Sequence, residues 1–206
     1  MIELHTYETG NGQRPRIMLE EVGLPYRIHH VDLRAGGQKT PEYLALNPTG
    51  RIPTMVDPDG PDGRRVVIRQ SLGMLLYLAE KTGRLIPADP VGRAAVMDAL
   101  LLAATDIQQS VNCGVHLSLL APVKMPEAGQ ALLERAGQSC RHLEDWLDGG
   151  PWLAGADYSI ADIAAFTVVH SLKGWKVALP DLPRMERWYA ALLARPAVAR
   201  ALAPMA

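Results

Sequence analysis

Thr9-Gly10-Asn11-Gly12 stands between an alternating apolar run and the first helical one, a place where a chain can present hydrogen-bond donors to an anion. Thr9 offers a hydroxyl there, and Asn11 a side-chain amide and a backbone N–H. The competing reading is that Asn11 only caps the helix. Gln70-Ser71 poses the same choice at a later strand-to-helix junction, where the Ser71 hydroxyl and the amides after it either cap the helix or receive a carboxylate. Ile52-Pro53 directly precedes a β-like run. A proline there gives nothing to a ladder, and a cis bond would present the backbone of Ile52 outward. Taken singly, the two polar pairs read as helix caps; together with Ile52-Pro53 they outline a ligand cradle.

Other chemistry is poorly supported. There is no G-x-S-x-G elbow, H-E-x-x-H helix or Walker lysine loop, and Gly10-Asn11-Gly12 lacks the third glycine of a dinucleotide fingerprint. His29 and His30 are neighbours in a strand-like run, so they point to opposite faces and cannot share a metal. His116, His142 and His170 have no histidine partner one helical turn away. All six histidines read as structural or solvent-facing, and no metal is expected. The two cysteines, Cys113 and Cys140, are too few for a disulfide scaffold and read as small buried hydrophobes. With 21 Lys+Arg against 22 Asp+Glu, the chain has no electrostatic footprint for nucleic acid or an anionic membrane. No apolar stretch is long enough to span a bilayer, and the N-terminus lacks the pattern of a signal peptide, so a soluble cytoplasmic protein is expected.

The elements that must position these residues change character along the chain. β-like runs cover Ile2–Tyr7, Tyr26–Val31, Thr54–Val56 and Arg65–Ile68, separated by Gly-, Pro- and Asp-rich turns. Arg14–Val22 reads as a helix with Pro15 near its start, Thr40–Leu46 as a short one, and the stretch from Ser71 to Gly83 as a third capped by Ser71. The order β-α-β-α-β-β-α requires parallel pairing and ends in an antiparallel hairpin. Beyond a proline-bearing linker, everything reads as helix. Met97, Leu100, Leu101 and Ala104 repeat at helical spacing, as do Leu132, Ala136, Cys140, Leu143 and Leu147. Ser159-Ile160-Ala161-Asp162 resembles a capping box.

Asn47-Pro48-Thr49-Gly50-Arg51-Ile52-Pro53, Gln70-Ser71-Leu72-Gly73-Met74-Leu75-Leu76-Tyr77-Leu78 and Tyr158-Ser159-Ile160-Ala161-Asp162-Ile163 together resemble cytosolic glutathione transferases, in order and over nearly the whole chain. They are similar to that family's approach to its cis-proline, its third-helix motif and its second-domain capping box. Thr9-Gly10-Asn11-Gly12-Gln13, with Leu19–Tyr26 and Gly36–Tyr43, resembles the nu class, the glutathione-dependent disulfide-bond oxidoreductases. Omega-like and glutaredoxin-like enzymes are expected to carry a cysteine in the first turn, and zeta-like ones a Ser/Cys-rich turn; neither is present. Tyr7 lies within its strand and reads as packing.

The resemblance implies an α/β thioredoxin-like N-terminal domain over residues 1–84, a linker over 85–91, and an all-α helical-bundle domain over 92–206. It also implies glutathione as co-substrate, no metal, a homodimer, and a small electrophile or disulfide as second substrate, bound near Asp106–Leu120 between the domains. Carried over residue by residue, Thr9 and Asn11 contact the glutathione sulfur, while the Ile52 main chain beside cis-Pro53 pairs with the cysteinyl backbone. Gln38 and Arg51 hold the glycyl end, Gln70 and Ser71 the γ-glutamyl end, and Arg135 reaches in from the second domain. Related nu-class sequences tend to have Glu where Gln70 stands. The reaction implied is disulfide reduction through the glutathione thiolate, or conjugation to an electrophile. The alternatives are a non-catalytic binding module of the same fold and a zeta-like isomerase.

Overall fold

Buried and half-buried positions alternate along β1 (Ile2–Thr6), with Ile2, Leu4 and Thr6 buried and Glu3 and His5 on the opposite face. In the computed structural model, which describes residues 1–205, this strand lies inside a four-stranded sheet. The others are β2 (Tyr26–His30), β3 (Thr54–Asp57) and β4 (Val66–Ile68), in the order β2-β1-β3-β4. β2 runs parallel to β1, with Ile2 opposite Tyr26 and His5 opposite His29. β3 is antiparallel to β1, and β4 closes the expected hairpin against β3.

Three helices belong to this half: α1 (Gly10–Val22), α2 (Pro41–Leu46) and α3 (Ser71–Thr82). α1 and α3 pack together, while Tyr43 of α2 contacts the sheet through His5 and Thr54. Thr40 opens α2 by accepting from the Tyr43 amide, and Gly83 ends α3 in the left-handed region, as expected. The expected start of α1 needs correction. Thr9, not a residue near Arg14, is the N-cap, so Pro15 lies inside the helix and Asn11 does not cap it. The extra turn fits because position 12 has no side chain: a Cβ there would meet the Tyr7 carbonyl oxygen at 2.0 Å.

The chain forms two compact units, residues 85–194 and the remainder. α9 (Pro196–Leu202), expected within the helical domain, packs on α1 in the first unit. There Arg195 grips Glu21 through two bonds of 2.6 and 2.8 Å, and Arg16 donates to the Ala203 carbonyl.

The second unit is helical: α4 (Pro90–Leu101), α5 (Gln108–Val115), α6 (Pro126–Trp146), α7 (Ile160–Gly174) and α8 (Pro183–Leu193). π-helical turns at Leu102–Ile107 and His116–Leu120 join the first three. The buried stripe is Val96, Ala99, Leu100, Ala103 and Ile107, whereas Leu101 is exposed and Met97 half-buried. Ala, Leu, Val and Met fill almost every position there, so apolar spacing alone leaves the helix phase open. Cys140 is buried, its thiol pushed up to about 12 by desolvation, but Cys113 is only half-buried and accepts from the Gln109 side chain. Ile160 through Val169 are all buried in α7, and the expected Ser159–Asp162 capping box is formed. Among the described residues, no helix is long and apolar enough to cross a membrane.

Candidate active site

The first turn of α1 is arranged around oxygen atoms that each accept an internal hydrogen bond. Thr9 Oγ1 accepts from the Gly12 amide at 3.2 Å, so its hydroxyl hydrogen remains to be donated. Asn11 Oδ1 accepts from Arg14 Nη1 at 3.0 Å, which leaves the Asn11 NH₂ as the outward donor. The same guanidinium nitrogen donates to Ser71 Oγ at 2.9 Å, so the Ser71 hydroxyl also keeps its hydrogen. The first intrahelical bond runs from the Gln13 amide to the Thr9 carbonyl, and the Gly10 and Asn11 amides have no intrahelical acceptor. Three side chains and two backbone groups thus have donors left to offer. That is the chemistry of an anion site at the positive end of a helix dipole.

Arg14 organises this arrangement, and sequence reasoning did not pick it out. It is buried, with burial lowering its pKa to about 10, so it stays a cation at neutral pH. A charged residue one turn beyond Asn11, on the face that buries Ile17 and Met18, is the signal that was there to be read.

Ser71 corrects a second expectation. It is the first residue of α3, Gln70 is the N-cap, and no side chain caps that end. Gln70 is exposed.

The Ile52–Pro53 bond is cis. The segment before it is held from below: the Arg51 carbonyl accepts from the Tyr43 hydroxyl and from Asn47 Nδ2, each at 2.7 Å. Asn47 Nδ2 also reaches Thr54 Oγ1 at 3.1 Å, and Asn47 Oδ1 accepts from the Thr49 hydroxyl at 2.8 Å. Buried Asn47 therefore fixes the loop whose motif it opens, while the Arg51 side chain remains exposed. The antiparallel ladder to β1 begins at Thr54, so Ile52 lies outside it.

Gln38 sits in the 3₁₀ turn Gly37–Lys39, with its Oε1 buried and lacking a protein partner. Gly50, at φ 58°, lets the loop pass beside it, since a Cβ there would lie 3.1 Å from the Gln38 carbonyl oxygen. Arg135, the remaining expected contact, is an exposed residue of α6 in the other unit.

A family model described as glutathione S-transferase, N-terminal domain, matches residues 11–81, and the corresponding C-terminal domain matches 126–191. The chain is also 34% identical over 203 residues to the disulfide-bond oxidoreductase YfcG of Escherichia coli, covering 98% of this chain and 94% of that one. It belongs to the glutathione S-transferase family. The first match contains Asn11, Gln38, Arg51, Ile52, Pro53, Gln70 and Ser71, and the second contains Arg135, whereas Thr9 lies just ahead of the first. Among solved transferases, one from Burkholderia graminis has two glutathione molecules bound per subunit. It superposes with a TM-score of 0.90 at 37% identity, covering 98% of this chain and 87% of that one. Another, from Pseudomonas putida, holds one glutathione disulfide per subunit and superposes with a TM-score of 0.88 at 29% identity, covering 100% and 92%.

Proposed function

We propose that this transferase binds glutathione with its sulfur at the Thr9 hydroxyl and the Asn11 amide, and uses the resulting thiolate to reduce disulfides. The observation that carries this reading is that the Thr9, Asn11 and Ser71 oxygens already accept protein hydrogen bonds, leaving donors to face the ligand. A free thiol has a pKa of about 8.5 and is only a few per cent thiolate at neutral pH. Two charge-assisted hydrogen bonds and the helix dipole favour the anion, and lowering the pKa by about two units takes about 2.7 kcal/mol.

The first turn holds no cysteine, so the nucleophile arrives with the co-substrate. The bound thiolate attacks one sulfur of a disulfide RS–SR, forming a glutathione–SR mixed disulfide and expelling RS⁻, which takes a proton. A second glutathione thiolate attacks the glutathione sulfur of that mixed disulfide and expels the other RS⁻. One disulfide and two glutathiones become two thiols and one glutathione disulfide. Conjugation to an electrophilic carbon uses the same thiolate and stands as the secondary activity.

Ser71 and Gln70 are assigned to the γ-glutamyl end, and Gln38 and Arg51 to the glycyl end. The unpartnered Gln38 oxygen suits an amide N–H, and the exposed Arg51 guanidinium suits a carboxylate. The same reading assigns the chain to the nu class, as a cytoplasmic homodimer.

The ultraviolet thiolate band of bound glutathione, titrated in wild type, Thr9→Ala and Asn11→Ala, tests the assignment. Each substitution is expected to raise the thiol pKa by about one unit. An unchanged pKa in both overturns it. A non-catalytic module would bind glutathione, seen as thermal stabilisation, without lowering its thiol pKa.

A further inference from the structure

On the sheet face opposite the Leu4 core, two strands bring together a carboxylate and two imidazoles that the glutathione reading leaves unused. Glu3 and His5 are two residues apart on β1 and so share a face, and the parallel register sets His29 of β2 opposite His5. His5 Nε2 and His29 Nε2 each lie 3.9 Å from Glu3 Oε2, and the three ligand atoms all fall within 4.8 Å of one another. Both Nε2 atoms are shut off from solvent and have no hydrogen-bond partner among the described residues. Two orphaned ring nitrogens aimed at one carboxylate oxygen are costly unless something bridges them.

We propose that Glu3, His5 and His29 form a binding site for a divalent cation of the zinc class. Two imidazoles and one carboxylate with a fourth position left to water is an established zinc donor set. Bond lengths of about 2.0–2.1 Å place neighbouring donor atoms about 3.3 Å apart around a tetrahedral ion, so the 3.9 Å separations close by about 0.6 Å and the imidazole pair, within 4.8 Å, by up to about 1.5 Å. The rings stack at 4.4 Å with 11° between their planes, and they must tilt apart for their lone pairs to converge. A depression of about 240 Å³ is lined by His5 and His29 together with Thr40 and Tyr43, so the tilt that opens the rings toward it also opens the path for an ion and a water ligand. Asp32 and Glu42 line it as well and make it hospitable to a cation. Bound there, the ion ties β1 to the edge strand β2.

The test uses the full chain, stripped with a chelator and kept free of glutathione, which itself binds zinc. Zn²⁺ titrated by calorimetry is expected to bind at one equivalent per chain and to raise the melting temperature to a plateau. Co²⁺ is expected to give the intense visible bands of a tetrahedral site without the near-ultraviolet thiolate charge transfer that ligation by Cys113 would produce. Glu3→Gln and His29→Asn, at half-exposed side chains, are each expected to weaken binding by at least about tenfold. Far-ultraviolet circular dichroism confirms that each variant is folded. Absence of saturable binding in wild type, retention of affinity in both folded variants, or a thiolate-ligated cobalt spectrum overturns the proposal. Glutathione binding, measured separately, stands or falls independently of it.

Discussion

Polar groups are buried in both units, but to different ends. In the helical unit the buried carboxylates Asp162 and Glu144 are saturated. Asp162 accepts from the Leu153 amide and Trp188 Nε1 on one oxygen, and from the Ser159 amide and hydroxyl on the other. Glu144 of α6 accepts from the Arg184 and Met185 amides, the unsatisfied first-turn donors of α8, and so caps that helix from another one. In the sheet unit, Thr9, Asn11 and Ser71 each accept one internal bond and have donors left over, while Gln38 keeps a bare acceptor. Saturation marks groups that hold a fold together. A one-sided remainder marks groups built to meet something else.

The sharpest way to break this contrast is Asp162→Ala. It orphans four donors at once in a fully buried place, and we expect a loss of at least about 3 kcal/mol in urea unfolding. A cost under about 1 kcal/mol would remove the distinction between the units.

Arg14→Met comes next, because Arg14 bonds both Asn11 and Ser71, two residues of the proposed glutathione site. The expected stability loss is about 2 kcal/mol, together with a bound-glutathione thiol pKa that moves back toward the free value as the Asn11 amide loses its fixed orientation. Asn11→Asp separates those effects. The new carboxylate pairs with Arg14, so stability holds or rises, while the two donors assigned to the thiolate in the proposed site are replaced by a repelling charge. Its thiol pKa should rise by about one unit or more. A variant that loses stability but leaves the pKa unchanged would make Asn11 a structural residue like Asp162.

What the sequence disclosed follows from how local each signal was. The succession of strands and helices in the first unit, the Ser159–Asp162 box and the Gly83 stop rest on signals written within a few residues and stand as expected. Thr9, Asn11 and Ser71 were also legible as candidate donors, but not the Arg14 guanidinium that bonds both Asn11 and Ser71, because Arg14 meets Ser71 across 57 residues. The expected Ser71 cap misses by one position, since the extended backbone of the N-cap falls on Gln70 and the Ser71 hydroxyl is taken up by Arg14. Adjacent His29 and His30 do face apart, yet His29 meets His5 through strand register, which no spacing along one strand reveals. Glu144 is a helix cap that sits 40 residues from the amides it serves.

That remote cap gives the smallest effect and the one with a pH signature. Burial would raise the Glu144 carboxyl, but hydrogen bonds from the Met185 and Arg184 amides and from the Arg184 side chain outweigh it and hold its pKa below the ordinary carboxylate range. A carboxyl depressed on folding contributes stability that is complete above the unfolded pKa of about 4.3 and is lost as pH falls through the folded value. Glu144→Gln should therefore cost about 1–2 kcal/mol at pH 7, and the gap to wild type should close progressively below about pH 4. Parallel urea titrations of the two proteins across that range measure it. Because the group is saturated by its own fold, the substitution should leave the thiol pKa of bound glutathione where it was. A gap that stays constant with pH would mean that shape rather than charge caps α8.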